Sequence, residues 1–127
     1  IIACDVFEKF CLEKPGESKK VIEKSDIVFL NEMERWLLGY NPIAKQKVSI
    51  LKKGKQGAAL FRREGNVISI APKHRYIAVD TNGAGDILGA SFLSKIVSGY
   101  NYSSAMQVAV DLASLSVTQE NVRHILK

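Results

Sequence analysis

Short apolar runs of strand length, alternating with stretches of helical period, constrain this chain more than any other feature. Ile1–Val6, Asp26–Leu30 and Lys47–Leu51 are nearly continuous apolar runs, the pattern of strands covered on both faces of a parallel sheet. Between the first two, Phe7–Leu12 reads as irregular and Lys14-Pro15-Gly16-Glu17 as a turn, and Ser18 can cap a short basic helix through Lys24. The second run stops at Asn31. A helix is then predicted over Glu32–Leu38, with Met33, Trp36 and Leu37 on one face and Gly39 as its stop, before Tyr40-Asn41-Pro42 breaks it. Ala58–Arg62 and Val67–Ile70 read as a hairpin around Arg63–Asn66. Two helices follow: one carries Ile87, Leu88, Phe92, Leu93, Ile96 and Val97, and the other is capped by Ser103 or Ser104 with a stripe of Ala105, Val108, Ala109, Leu112 and Ala113. This alternation predicts a layered α/β domain. Ligands gather outside the carboxyl ends of the strands of such sheets, where Asp5, Asn31, Lys53-Gly54 and the Asp80–Asp86 loop fall.

Ile77–Gly89 concentrates the chemistry. An apolar β-type run passes through Gly83-Ala84-Gly85 into a helix, so bare amides at the positive end of that helix can receive an anion. Asp86 beside such a cradle can accept a proton from a hydroxyl that attacks a bound phosphate. The structural alternative is that Asp86 caps the helix. Asn31 and Glu34 stand three apart where strand becomes helix, and they read equally as a capping box.

Asp80-Thr81-Asn82-Gly83-Ala84-Gly85-Asp86 resembles the Asp-Thr-x-Gly-Ala-Gly-Asp motif of the ribokinase-like (PfkB) sugar and nucleoside kinases. That resemblance implies a layered α/β/α fold with a mostly parallel sheet and a β-hairpin at the nucleotide-binding edge. It implies that the amides of Gly83, Ala84 and Gly85 form an anion hole, that Asp86 is the general base, and that Asp80 lies near a monovalent-cation site, with K+ the candidate ion. Asn31-Glu32-Met33-Glu34 matches the family's Asn-x-x-Glu segment, which implies that Asn31 and Glu34 help hold Mg2+ through water, in keeping with the ion's retained hydration. Gly54 and Gly57 match a Gly-x-x-Gly turn against the nucleotide, with Lys53 and Asn82 beside it. Lys52 stands where many members have Thr or Ser, so a turn without a ligand is the alternative there. The family also carries one more helix between the Asn-x-x-Glu helix and the next strand, for which Pro42–Lys47 is too short.

The resemblance implies that residues 1–127 are the nucleotide-binding, C-terminal part of a kinase domain whose acceptor-binding N-terminal part is absent, consistent with a chain that opens on Ile1 inside a strand-like run. ATP, Mg2+ and a small hydroxyl-bearing substrate are the expected partners, with a homodimer formed through the missing N-terminal lid. The net charge of +5 draws on Lys52, Lys53, Lys55, Arg62, Arg63, Lys73 and Arg75, which flank turns without aromatic interleaving. Attraction for an anionic small ligand is therefore expected rather than a nucleic-acid surface. No apolar run reaches the length of a membrane span, and Cys4 and Cys11 without a signal segment suit a reducing cytoplasm. Two other readings are a nucleotide-binding protein without catalysis and a dinucleotide-dependent oxidoreductase, since Gly83-x-Gly85-x-x-x-Gly89 loosely fits a dinucleotide fingerprint. The latter needs a second strand ending in an acidic residue, and Asp111 falls inside a helix pattern instead.

Overall fold

The computed structural model describes residues 1–42, 47–62, 66–73 and 84–116. Five strands form one sheet in the order β1-β2-β3-β4-β5, with β1 at Ala3–Asp5, β2 at Ile27–Asn31, β3 at Val48–Lys52, β4 at Ala58–Phe61 and β5 at Val67–Ile70. The first three strands are parallel, in a register that sets Asp5 beside Phe29 and Asn31 beside Lys52. Residues 53–57 and 62–66 are too few for the crossover a parallel pair requires, so β4 and β5 extend the sheet as a meander and make it mixed. The Arg62 N–H donates to the Asn66 carbonyl at 2.9 Å and closes the predicted hairpin.

The chain divides into two units, Ile1–Lys53 with Ala59–Ser69, and Gly54–Ala58 with Ile70–Lys127. In the first, helices α1 (Glu8–Glu13), α2 (Pro15–Glu23) and α3 (Glu32–Leu38) link the parallel strands. Val28, Leu30 and Leu51 pack with Val6, Cys11, Ile22, Leu38 and Tyr40, while Phe29 and Ile50, on the other face, are equally buried. Burial on both faces is why Ile27–Leu30 is apolar at every position and why β3 interrupts its apolar run only with the small, hydrogen-bonded Ser49 before Lys52 at its end.

Several helices depart from the sequence reading. Phe7–Leu12 is not irregular, since α1 occupies most of it. The Lys14–Glu17 stretch is a helix start rather than a turn, with Pro15 in the first turn of α2, where a missing N–H costs nothing. Ser18 therefore lies inside α2, buried, its hydroxyl donating to the carbonyls of Lys14 and Phe10. Lys47 closes the other end of α2, its ammonium donating to the carbonyls of Ile22, Glu23 and Ser25. On α3 the inward face is Glu34 and Leu38 with the predicted Leu37 partly buried against the same core, leaving Trp36 76% exposed, while Gly39 ends the helix at φ +59° as expected.

In the second unit α4 (Ala84–Val97) packs along α5 (Tyr102–Ser116), with Phe92 buried and stacked on Tyr102 at 6.2 Å between centroids. The apolar surface of α4 is buried at Ile87, Leu88 and Phe92, but Val97 is 83% exposed. Asn101 caps α5, not Ser103 or Ser104, because its Oδ1 accepts the Ser104 N–H at 2.8 Å. Ala105, Ala109 and Ala113 of the predicted stripe are buried on α5, but Met106, Val110 and Ser116 complete the buried face in place of Val108 and Leu112.

Candidate active site

Helix α4 spans Ala84–Val97, so a helix follows as expected, but Ala84 and Gly85, read as loop, already lie in its first turn and Asp86 stands inside the helix rather than capping it. Asp80, Asn82 and Gly83 lie outside the described residues. Ala84, Gly85 and Asp86 form the first turn, whose amides have no partner within the helix, and Asp86 is exposed there. A carboxylate at this end is favoured by the helix dipole and, being exposed, is open to solvent.

At the carboxyl ends of the parallel strands, Asn31 and Glu34 form a complete capping box. The Asn31 N–H donates to Glu34 Oε1 and the Glu34 N–H to Asn31 Oδ1, both at 2.8 Å. Glu34 is only 4% exposed. Burial pushes its carboxyl pKa up, the Asn31 N–H and the Lys52 charge pull it back, and Asp5 and Glu8 add a smaller upward push. Lys52, at the end of β3, reaches across to β1 and pairs with Asp5 Oδ1 at 2.8 Å. One strand edge thus holds a cation and three oxygen-bearing side chains, Asp5, Asn31 and Glu34.

Lys53 is exposed and leads into a 3-10 turn at Gly54–Gln56, closed by the Gly57 N–H on the Gly54 carbonyl at 3.0 Å. Gly54 adopts φ +59° and Gly57 φ +97°, both closed to most side chains. The two differ in their surroundings. A Cβ on Gly54 would meet nothing within 4 Å, whereas one on Gly57 would lie 2.0 Å from the Ile70 carbonyl oxygen and 3.0 Å from the Ala71 Cα. Gly57 is thus required both by its dihedral angles and by backbone packing, and Gly54 by its dihedral angles alone, with open space beside it.

The sequence profile of the pfkB family carbohydrate kinases matches residues 11–127. The chain belongs to that family. Solved structures share its fold. A nucleoside kinase of Methanocaldococcus jannaschii, an archaeal member of the ribokinase family, is 23% identical with a TM-score of 0.82, over 95% of this chain and 42% of that one. Burkholderia thailandensis nucleoside kinase in complex with inosine is 19% identical with a TM-score of 0.84, over 95% and 42%. An Escherichia coli protein described as a ribokinase II, in complex with ATP and Mg2+, is 24% identical with a TM-score of 0.80, over 100% and 45%. The pfkB-family chain spans less than half the length of each. No curated protein sequence matches it.

In this pfkB-family chain the oxygen donors of Asn31 and Glu34 suit a hydrated Mg2+ better than direct ligation, because each already holds the other's backbone. Among the described residues no three His, Cys, Asp or Glu side chains gather as a metal site. No helix is long and apolar enough to cross a membrane, again among the described residues. Cys4 and Cys11 are both free, and burial raises both thiol pKa values, which leaves them poor nucleophiles. Sequence reasoning missed the Lys52–Asp5 pair, since no local pattern joins residues from strands two places apart. It also gave no role to Gln107 and Asp111 on α5, which bond the Ala71–Lys73 backbone. Their spacing of four on one helix was the only signal available.

Proposed function

We propose that this chain is the nucleotide-binding, C-terminal part of an ATP-dependent kinase that phosphorylates a hydroxyl of a sugar or nucleoside. The observation that supports the reading is that Ala84-Gly85-Asp86 of the family's Gly-Ala-Gly-Asp lie in the first turn of α4, with Asp86 exposed. In this reading Asp86 takes the proton from the acceptor hydroxyl, while the Gly83–Gly85 amides stabilise charge that develops on the transferred phosphoryl oxygens. The turn Gly54–Gly57, with Lys53 and Asn82, lies against the nucleotide. Asn31 and Glu34 orient water around Mg2+, which when bound would offset phosphate charge. Asp80 marks the K+ site. The acceptor pocket and lid, and with them any homodimer contact, belong to the part of the relatives' length that this chain does not span.

Mg2+-dependent binding of ATP, without binding of NAD, separates this reading from an oxidoreductase, and the helices at 84–97 and 102–116 support it over a dinucleotide fold, which needs a second strand there. Phosphoryl transfer by the polypeptide carrying both halves separates it from a non-catalytic nucleotide binder. In that polypeptide Asp86→Asn keeps ATP affinity and lowers turnover by at least ~10². Turnover near the parent value removes Asp86 from the role of base.

A further inference from the structure

We infer that Gln107 and Asp111 of α5 are positioning residues for the Gly54–Gly57 turn, acting through the backbone of Ile70–Lys73. Gln107 Nε2 donates to the Ala71 carbonyl at 3.2 Å and to both carboxylate oxygens of Asp111 at 3.1 Å. Asp111 Oδ1 also accepts the Lys73 N–H at 2.9 Å. The two side chains therefore take the carbonyl of one residue and the amide two positions on, and fix the chain as it leaves β5. That same backbone is the surface on which Gly57 rests, since a Cβ there would lie 2.0 Å from Ile70 O and 3.0 Å from Ala71 Cα.

Three parts are thus in series: the α5 side chains, the Ile70–Lys73 backbone and Gly57. No slack lies between the last two, so a shift of the backbone is passed directly to the turn. The bland alternative is that Gln107 and Asp111 merely support α5 as a pair four residues apart. Such pairs stabilise a helix only weakly. Here both side chains reach beyond the helix to main-chain groups separated by more than 30 positions in sequence, which a helix-supporting role does not require.

The inference rests on reading Gly54–Gly57 as the nucleotide turn, and the test keeps the two apart. Titration with MgATP by calorimetry of the polypeptide carrying both halves is paired with amide hydrogen exchange at Gly57 and Lys73, for the parent and for Asp111→Ala, Asp111→Asn and Gln107→Ala. Loss of a hydrogen bond to a carboxylate, discounted for partial exposure, leads us to expect about 3- to 10-fold weaker MgATP binding in Asp111→Ala. Faster exchange at both amides accompanies it. Asn retains an acceptor oxygen, so Asp111→Asn stays within about twofold of the parent. Should Asp111→Ala fail to fold, Gln107→Ala, which loses the Ala71 contact, carries the same expectation. Parent-like MgATP affinity in the folded alanine variants overturns the positioning role and leaves the nucleotide reading standing. A parent polypeptide carrying both halves that does not bind MgATP overturns the nucleotide reading, and the inference with it.

Discussion

Replacing Gly57 with alanine separates two demands that the sequence presents as one pair of glycines. At φ +97° an alanine pays the left-handed penalty of about 1–2 kcal/mol. Its Cβ would also stand 2.0 Å from the Ile70 carbonyl oxygen, a backbone atom that moves only if the end of β5 moves. Overpacking of that kind costs about 1–3 kcal/mol, for a total of roughly 2–5 kcal/mol. Gly54→Ala is the internal control, because at φ +59° with nothing within 4 Å it carries only the conformational part, about 1–2 kcal/mol. The assay is urea unfolding of the two variants and the parent. With a slope of about 1–2 kcal/mol/M, the Gly57→Ala midpoint falls by roughly 1–5 M and the Gly54→Ala midpoint by about half as much or less, with the slope unchanged. Equal midpoints for the two variants refute the reasoning, since the contact with Ile70 would then cost nothing.

Two more predictions concern stability. Asn101→Ala removes the acceptor for the Ser104 N–H and destabilises the chain by about 1 kcal/mol, while Ser103→Ala and Ser104→Ala stay within about 0.5 kcal/mol by thermal unfolding; equal losses in all three refute the assignment of the cap. Tyr40 is buried with its hydroxyl 2.7 Å from Ser49 Oγ; burial pushes its pKa up, the Ser49 bond partly offsets this, and Cys4 adds a little. The unfolded chain ionises from pH about 10 while the native phenol stays neutral, so Tyr40 stabilises fully below that pH and loses its effect as pH rises through the folded value. Tyr40→Phe costs about 1 kcal/mol near neutrality, by leaving buried Ser49 without this partner, and flattens the alkaline fall in urea midpoint. An unchanged alkaline slope would mean that Tyr40 ionises equally in both states.

The strands were legible because burial on both faces leaves a continuous apolar run, as in Ile27–Leu30, and the hairpin because turn residues bound it. Gly39 announced the end of α3 through a conformation that glycine alone adopts easily. Helix faces were less legible. The Met33-Trp36-Leu37 face misled at Met33 and Trp36 because a buried carboxylate, Glu34, takes an inward position where periodicity expects an apolar residue. The start of α2 was hidden because proline signals both turns and first helical turns, and only the contacts of Ser18 decide between them. At the candidate site, the Asn31–Glu34 box and the helix that carries Asp86 could be read from spacing. Lys52–Asp5 and the reach of Asp111 to Lys73 could not, because their partners are fixed by sheet order and helix docking rather than by neighbours in sequence.

Lys47 links the end of α2 to the start of β3. The Ile22 carbonyl already accepts the Ser25 N–H at 3.1 Å, and Lys47, more than 20 positions later, adds a second donor there and one to the Glu23 carbonyl, so the end of that helix is completed only when β3 docks. Helix α2 and strands β2 and β3 should therefore mature as one cooperative block, with amides near Ile22 opening to exchange when β3 detaches and not before.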